Sequence, residues 1–362
     1  MQRQIAGFGG NPANVTAFGE SAGSISLTHQ LCANEPLFQR VILQSGIATA
    51  PEAGLKQRDE VYERLLKYLD IDEQTDDAKL EALRLAPVER LVQAIADLKA
   101  SPLWPYLSAD DPFYANGSAE WSTVEQQIKN CDWCKEIILG DSSFEGFMWV
   151  KDLLQMQNRD SIPKCLSAAF QQPDVQALQN YYGMDPSLPH NLFWTNTARF
   201  FGDFAFSEPV DKVARGLASS TDHKVYRYQV CLSNPFSGSM YSYVSGHHFV
   251  ELMYLFLTYL ERFPTHRNNF FAKVARDIAR KWIGFANGTA PWAEYREGNG
   301  YSIGIFDDLR GIDVRTREED ENVSKEDVWG ERRYKGLEIL RNAIENAEDS
   351  EQARGVIMNV LI

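Results

Sequence analysis

The stretch Asn14–Ser26, NVTAFGESAGSIS, constrains the fold more than any other part of the chain. A short apolar run, Val15 to Phe18, reads as a strand, and a helical pattern begins at Ser21 with no room for a loop between them. Gly19-Glu20-Ser21-Ala22-Gly23 has the G-x-S-x-G spacing of a tight strand-to-helix turn. Such a turn presents a strained serine, and flanking glycines avoid side-chain clashes in it. The helix behind the serine directs its amino-terminal dipole at any anion formed there. A chain of this composition matches the spacing by chance about 0.1 times, so its setting must decide what it means.

The rest of the pattern supplies that setting. FQRVILQSG (38–46) reads as a second strand closed by glycine, WCKEIILGDSS (133–143) contains a third, and KVYRYQV (224–230) is a fourth with clean alternation. Helical patterns cover 21–31, 59–69, a run starting at Pro87, and 270–288, and an amphipathic helix carries Tyr334, Leu337, Leu340 and Ile344. Residues 147–218 are helical and aromatic-rich, broken at Pro163, Pro173, Pro186 and Pro189, and RTREEDENVSKED reads as a solvated loop. No repeat or low-complexity segment is visible. Strands alternating with helices indicate an α/β fold around a largely parallel sheet, whose sites form at the carboxyl ends of the strands.

Composition excludes some functions. The chain has 36 basic and 50 acidic residues, a net charge of −14, which disfavours nucleic acid or an anionic membrane as the main partner. No membrane span is expected, because the greasiest run, FVELMYLFLTYL, is short and carries Glu251. Five scattered cysteines make no disulfide framework. Cys131 and Cys134 form a single CDWC pair, half of what a structural zinc site needs, so no metal is expected. N-x-S/T triplets start at Asn14, Asn116, Asn287 and Asn322, and Asn14 falls on the predicted buried strand.

A serine nucleophile needs a base, and the base needs an orienting acid, in the chain order serine, acid, histidine for this kind of elbow. His223 precedes its strand, and His190 and His266 lie in proline-bearing linkers. His247 and His248 lie in the long loop after the fourth strand, the right end of the sheet. Asp141 and Glu145 both follow the third strand, and position does not choose between them.

Several segments together resemble the type-B carboxylesterase family, which includes cholinesterases and several fungal lipases. FGGNPANVTAFGESAGSISL is similar to that family's elbow signature, FGGDPxNVTxFGESAG, and LFQRVILQSG to its next strand. LGDSSFEGFMW resembles the acid loop, HHFVELMYLF the histidine motif H-G-x-E-L-P-Y-x-F, and WIGFANGTAPW a further segment. The resemblance implies an α/β-hydrolase fold in a single domain spanning 1–362. It also implies carboxylic-ester hydrolysis through an acyl-enzyme by Ser21, Glu145 and His248, with Ala22 N–H as an oxyanion donor, Glu251 supporting the base, and no cofactor. The partner would be a small-molecule carboxylic ester.

Departures from the family pattern add further expectations. Phe249 stands where the family has glycine and is expected to crowd the base; Ala82 replaces a family cysteine, which leans towards a reducing, cytoplasmic setting. Only 20 residues precede Ser21, so the first strands and the Gly-Gly oxyanion loop of the family are expected to be missing, leaving the first strand as an exposed edge. The rival readings are therefore an inactive fragment or a non-catalytic cholinesterase-like binding domain. Trp194, Phe200, Phe201, Phe204 and Phe206 are candidates for pocket walls, with core packing the expectation for most.

Overall fold

The computed structural model describes residues 2–49, 55–98, 120–265, 267–326 and 334–360. The chain divides into two compact units, one formed by Met1–Ala50 with Ala119–Leu361 and the other by Pro51–Ser118. Among the described residues six strands make one sheet in the larger unit: β1 (Thr16–Glu20), β2 (Arg40–Gln44), β3 (Glu136–Ser142), β4 (Lys224–Cys231), β5 (Ile303–Asp307) and β6 (Gly311–Arg315). Their spatial order is their chain order; β1 to β5 run parallel and β6 returns antiparallel.

Helix α1 (Ala22–Leu31) follows β1. The smaller unit contains α2 (Leu55–Tyr68), α3 (Asp76–Leu85) and α4 (Val88–Asp97). In that unit Thr75 caps α3 by accepting from Ala78 N–H, and the Tyr68 hydroxyl donates to Asp97. The larger unit continues with α5 (Val124–Asn130), α6 (Phe147–Leu153), α7 (Ser161–Ala169), α8 (Gln172–Tyr182), α9 (His190–Gly202) and α10 (Glu208–Ala218). It ends with α11 (Leu252–Leu255), α12 (Asn268–Ala286), α13 (Arg317–Glu326), α14 (Tyr334–Glu345) and α15 (Ser350–Met358).

The continuous apolar runs of β2 and β3 are explained by burial on both faces of the sheet. Val41, Leu43, Ile137 and Leu139 pack with Leu27, Leu31, Val210, Val213 and Leu217 of α1 and α10. The alternate residues Ile42, Ile138, Tyr226 and Tyr228 pack with Ile278, Trp282 and Phe285 of α12 on the opposite face. A third cluster, built on Leu166, Leu178, Phe193, Trp194, Leu340 and Ile357, unites α7, α8, α9, α14 and α15. Among the described residues no helix is long and apolar enough to cross a membrane.

Several expectations need correcting. β1 is the expected exposed edge and not the buried strand its apolar run suggests: it pairs with β2 alone among the described strands, and Phe18 is 52% exposed. Asn14 lies before it, exposed, with its side-chain oxygen accepting from Arg40. The charged run at 317–326 is helical, its first turn carrying Glu318, Glu319 and Asp320 where the helix dipole favours acids. Pro163 and Pro173 do not break helices but sit in the first turns of α7 and α8, where a missing N–H costs nothing. His190 lies in no linker but opens α9. Pro87 is the residue before α4 rather than its first. α3 and the β5–β6 hairpin were not foreseen, although Ile303, Ile305, Ile312 and Val314 alternate around the turn. His266 and Asn116 lie outside the described residues.

Candidate active site

Glu20, Gln44, Gly140 and Tyr228 form one row across β1 to β4, and the chemically able side chains lie on or just beyond it. Ser21 is the first residue past β1. Its φ of 55° and ψ of −119° lie outside the regions a residue with a β-carbon prefers, at a cost of about 1–3 kcal/mol. The turn is held because Ser21 N–H donates to the Gln44 carbonyl at 2.8 Å and Ser21 carbonyl receives Ile25 N–H at 3.0 Å. Gly19 is required: a β-carbon there would stand 2.5 Å from the Gly23 carbonyl carbon. Gly23 is not, for a β-carbon at that position would meet nothing within 4 Å.

β3 extends one residue beyond Asp141, which separates the two acid candidates. Asp141 is buried within the strand and paired with Arg227 of β4. Glu145 lies in the turn beyond, where Ser142 N–H donates to its Oε1 at 2.6 Å and leaves Oε2 free to face the base. The turn is pressed onto α9, where Gly146 and Gly202 meet backbone to backbone; a β-carbon on Gly146 would stand 1.7 Å from the Ala198 carbonyl oxygen.

The histidines also separate. His247 turns inward, its Nδ1–H donating to the His248 carbonyl at 2.6 Å. His248 reaches Ser21: its Nδ1 is 2.5 Å from Glu145 Oε2 and its Nε2 is 2.8 Å from Ser21 Oγ. The carboxylate at Nδ1 fixes the tautomer in which Nε2 carries a lone pair, so the Ser21 hydroxyl donates to it. Ser21 is partly exposed and Ala22 is exposed, and the N–H groups of the first turn of α1 have no intrahelical acceptor.

Three carboxylates converge on this one imidazole. Glu20 Oε1 lies 3.2 Å from His248 Nε2, and Glu251, fully buried, accepts from the Gln44 amide at 3.1 Å. Gln44 in turn accepts from Trp282 Nε1 at 3.1 Å, which fixes its amide. Burial pushes the Glu20 carboxyl up to about 8 against the attraction of His248. Burial and then repulsion from Glu145 push Glu251 up to about 7. Burial opposes charge on His248, but Glu145, by charge and hydrogen bond, then Glu20 and Glu251 raise it to about 9. The arrangement stabilises an imidazolium, the charge a base acquires when it takes a proton from serine.

Of the five aromatic candidates for pocket walls, Trp194, Phe200, Phe201 and Phe204 belong to the core. Phe206 alone of them meets the site: it lies in a π-helical turn, Asp203–Ser207, between α9 and α10, with its ring 4.6 Å from that of His248. Trp149 stacks on Phe206 at 5.7 Å. Phe249 does not displace the His248 ring from Glu145 and Ser21. It adopts a φ of 58°, costing about 1–2 kcal/mol, and sets its ring edge-on to His248 at 5.9 Å. Glu20, Gln44, Trp282 and Trp149 were missed, because nothing local marks their convergence; Glu20 alone carried a signal, as a carboxylate inside the elbow itself. Among the described residues no group of three or more His, Cys, Asp or Glu side chains is placed to hold a metal ion.

A parallel sheet with a serine elbow at one strand end, and a histidine and an acid beyond later strands, defines the α/β-hydrolase fold. The fold is shared with solved PNB esterases; one matches with a TM-score of 0.64 over 90% of this chain and 66% of its own, at 20% identity. Residues 1–302 match the carboxylesterase family model, and the chain belongs to that family. A mouse cholinesterase is 52% identical over 68 residues, 18% of this chain and 11% of the cholinesterase. Lipase 4 of Diutina rugosa is 36% identical over 163 residues, 42% of this chain and 29% of the lipase. The mouse pyrethroid hydrolase Ces2a is 25% identical over 81% of this chain and 53% of its own length. The chain thus spans about half the length, or less, of these relatives.

Proposed function

We propose that the chain hydrolyses carboxylic esters, with Ser21 as nucleophile, His248 as general base and acid, and Glu145 as the group that orients the imidazole. The observation carrying this reading is the hydrogen-bonded row from Ser21 Oγ through His248 to Glu145, drawn from the ends of β1, β4 and β3. Ser21 Oγ attacks the ester carbonyl while His248 Nε2 takes its proton, and the tetrahedral oxyanion is met by Ala22 N–H at the head of α1. The C–O bond to the alcohol breaks as His248 returns the proton to the leaving oxygen. Water then attacks the acyl-Ser21 ester, giving its proton to His248, and the carboxylic acid leaves as Ser21 is reprotonated. Glu251, tied through Gln44 to Trp282, supports the charge on His248 from behind. The names of the relatives, a pyrethroid hydrolase, lipases and cholinesterases, agree with an ester as substrate.

The test is labelling of purified protein by a fluorophosphonate, together with turnover of short p-nitrophenyl esters. Wild-type labelling that Ser21→Ala abolishes, with turnover lowered about 10⁴-fold or more by His248→Ala, is expected. Folded protein that neither labels nor turns over refutes hydrolysis and favours a non-catalytic binding domain.

A further inference from the structure

We infer that Phe249 is a positioning residue for the His248 imidazole, holding the base against the acid loop by ring contacts independent of the Glu145 hydrogen bond. The inference rests on the assignment of His248 as base.

Phe249 follows the base directly and has a φ of 58°, a conformation that glycine adopts freely and a phenylalanine keeps only when its surroundings hold it. What holds it is a set of edge-on ring contacts. Its centroid lies 5.2 Å from His247, 5.9 Å from His248 and 5.6 Å from Tyr241, with planes inclined at 71°, 81° and 63°. Tyr241 lies 4.8 Å from His247 and 5.5 Å from Phe147. Phe147 opens α6 two residues after Glu145, so the rings run continuously from the base loop to the acid loop.

Each link removes a freedom the base would otherwise have. His247 is fixed by its bond to the His248 carbonyl and by two rings. His248 is met by Phe206 at 4.6 Å and by Phe249 at 5.9 Å. Deleting the Phe249 ring leaves the His247–His248 backbone without the side chain that touches both imidazoles and Tyr241. The peptide is then free to turn about a bond now held in an unfavoured state. A base displaced by about 1 Å loses about 10²-fold in rate, so small freedoms matter here.

The experiment compares Phe249→Gly, Phe249→Ala and Phe249→Tyr with wild type. The readouts are kcat and KM for p-nitrophenyl acetate and the low-field proton resonance of the His248 Nδ1–H, assigned with His248→Ala. Glycine suits the backbone there, so Phe249→Gly carries the test if Phe249→Ala does not fold. Expected are a kcat lower by about 10- to 100-fold in the Gly and Ala variants with KM little changed, a shifted or broadened resonance, and recovery of both in Phe249→Tyr. A Phe249→Gly protein with wild-type kcat and resonance overturns the proposal, whether KM rises or not; a rise would make the ring a substrate wall. A wild type that shows the resonance but neither turns over nor labels refutes ester hydrolysis, while the resonance in the variants still decides the positioning role. A wild type that labels yet lacks the resonance overturns the positioning role alone.

Discussion

Gly146→Ala should disable the site from a position that touches no reacting atom. Gly146 has a φ of −69°, which any residue accepts, so the effect comes from the added β-carbon alone. That carbon would stand 1.7 Å from the Ala198 carbonyl oxygen of α9 and 2.9 Å from Gly202 N. The turn and the helix must part by about 1.3 Å before the first of these contacts reaches even 3.0 Å. Glu145 is the adjacent residue and is bonded at 2.5 Å to His248, so most of that displacement reaches the triad. Overpacking of this kind costs about 1–3 kcal/mol of stability, and a misplacement near 1 Å costs about 10²-fold in rate. The assay is kcat/KM on a p-nitrophenyl ester and the rate of fluorophosphonate labelling, with urea unfolding alongside. Gly355→Ala is the control, because a β-carbon there meets nothing and alanine favours the helix by about 1 kcal/mol. If Gly146→Ala keeps kcat/KM within about twofold of wild type, the close approach does not position the acid, and the reasoning is wrong.

Three further outcomes are expected. His248 must be neutral to act as a base, and its surroundings raise it to about 9, so kcat/KM should climb with pH along a limb above the ordinary imidazole value. Glu20→Gln removes one of the charges favouring imidazolium and should move that limb to lower pH; a limb that stays put in the pH–rate profile would exclude Glu20 from this role. Arg341 bonds two buried carboxylates, Glu208 at 3.0 Å and Asp211 at 2.7 Å, so Arg341→Met should cost about 3–5 kcal/mol in urea unfolding. A loss below about 1 kcal/mol would mean these acids find other partners or protons.

The elbow was legible because its chemistry is local. Ser21, its glycine and its helix are contiguous, and the apolar runs of β2 and β3 could hardly be anything but buried strands. His248 and Glu145 were placed only to within a pair each by position, since His247 and Asp141 are equally well situated along the chain. The family resemblance chose His248 and Glu145, and the physical grounds for that choice are spatial: the inward turn of His247 onto a carbonyl and the claim of Arg227 on Asp141. The β5–β6 hairpin escaped notice because Asp307 to Arg310 reads as charged loop, and the helix at 317–326 because its sequence has almost no apolar face. The exposure of Phe18 contradicts a buried reading of VTAF for a tertiary reason, the place of β1 at the end of the strand order.

The strand order has a temporal consequence. Because neighbours in the sheet are also successive in the chain, each strand can join the sheet as it leaves the ribosome, without waiting for a later one to be inserted between. Ser21 and His248 are nevertheless 227 residues apart. At about 5–20 residues per second, about 10 to 50 seconds of synthesis separate Ser21 from His248, so the proposed triad is completed late in translation.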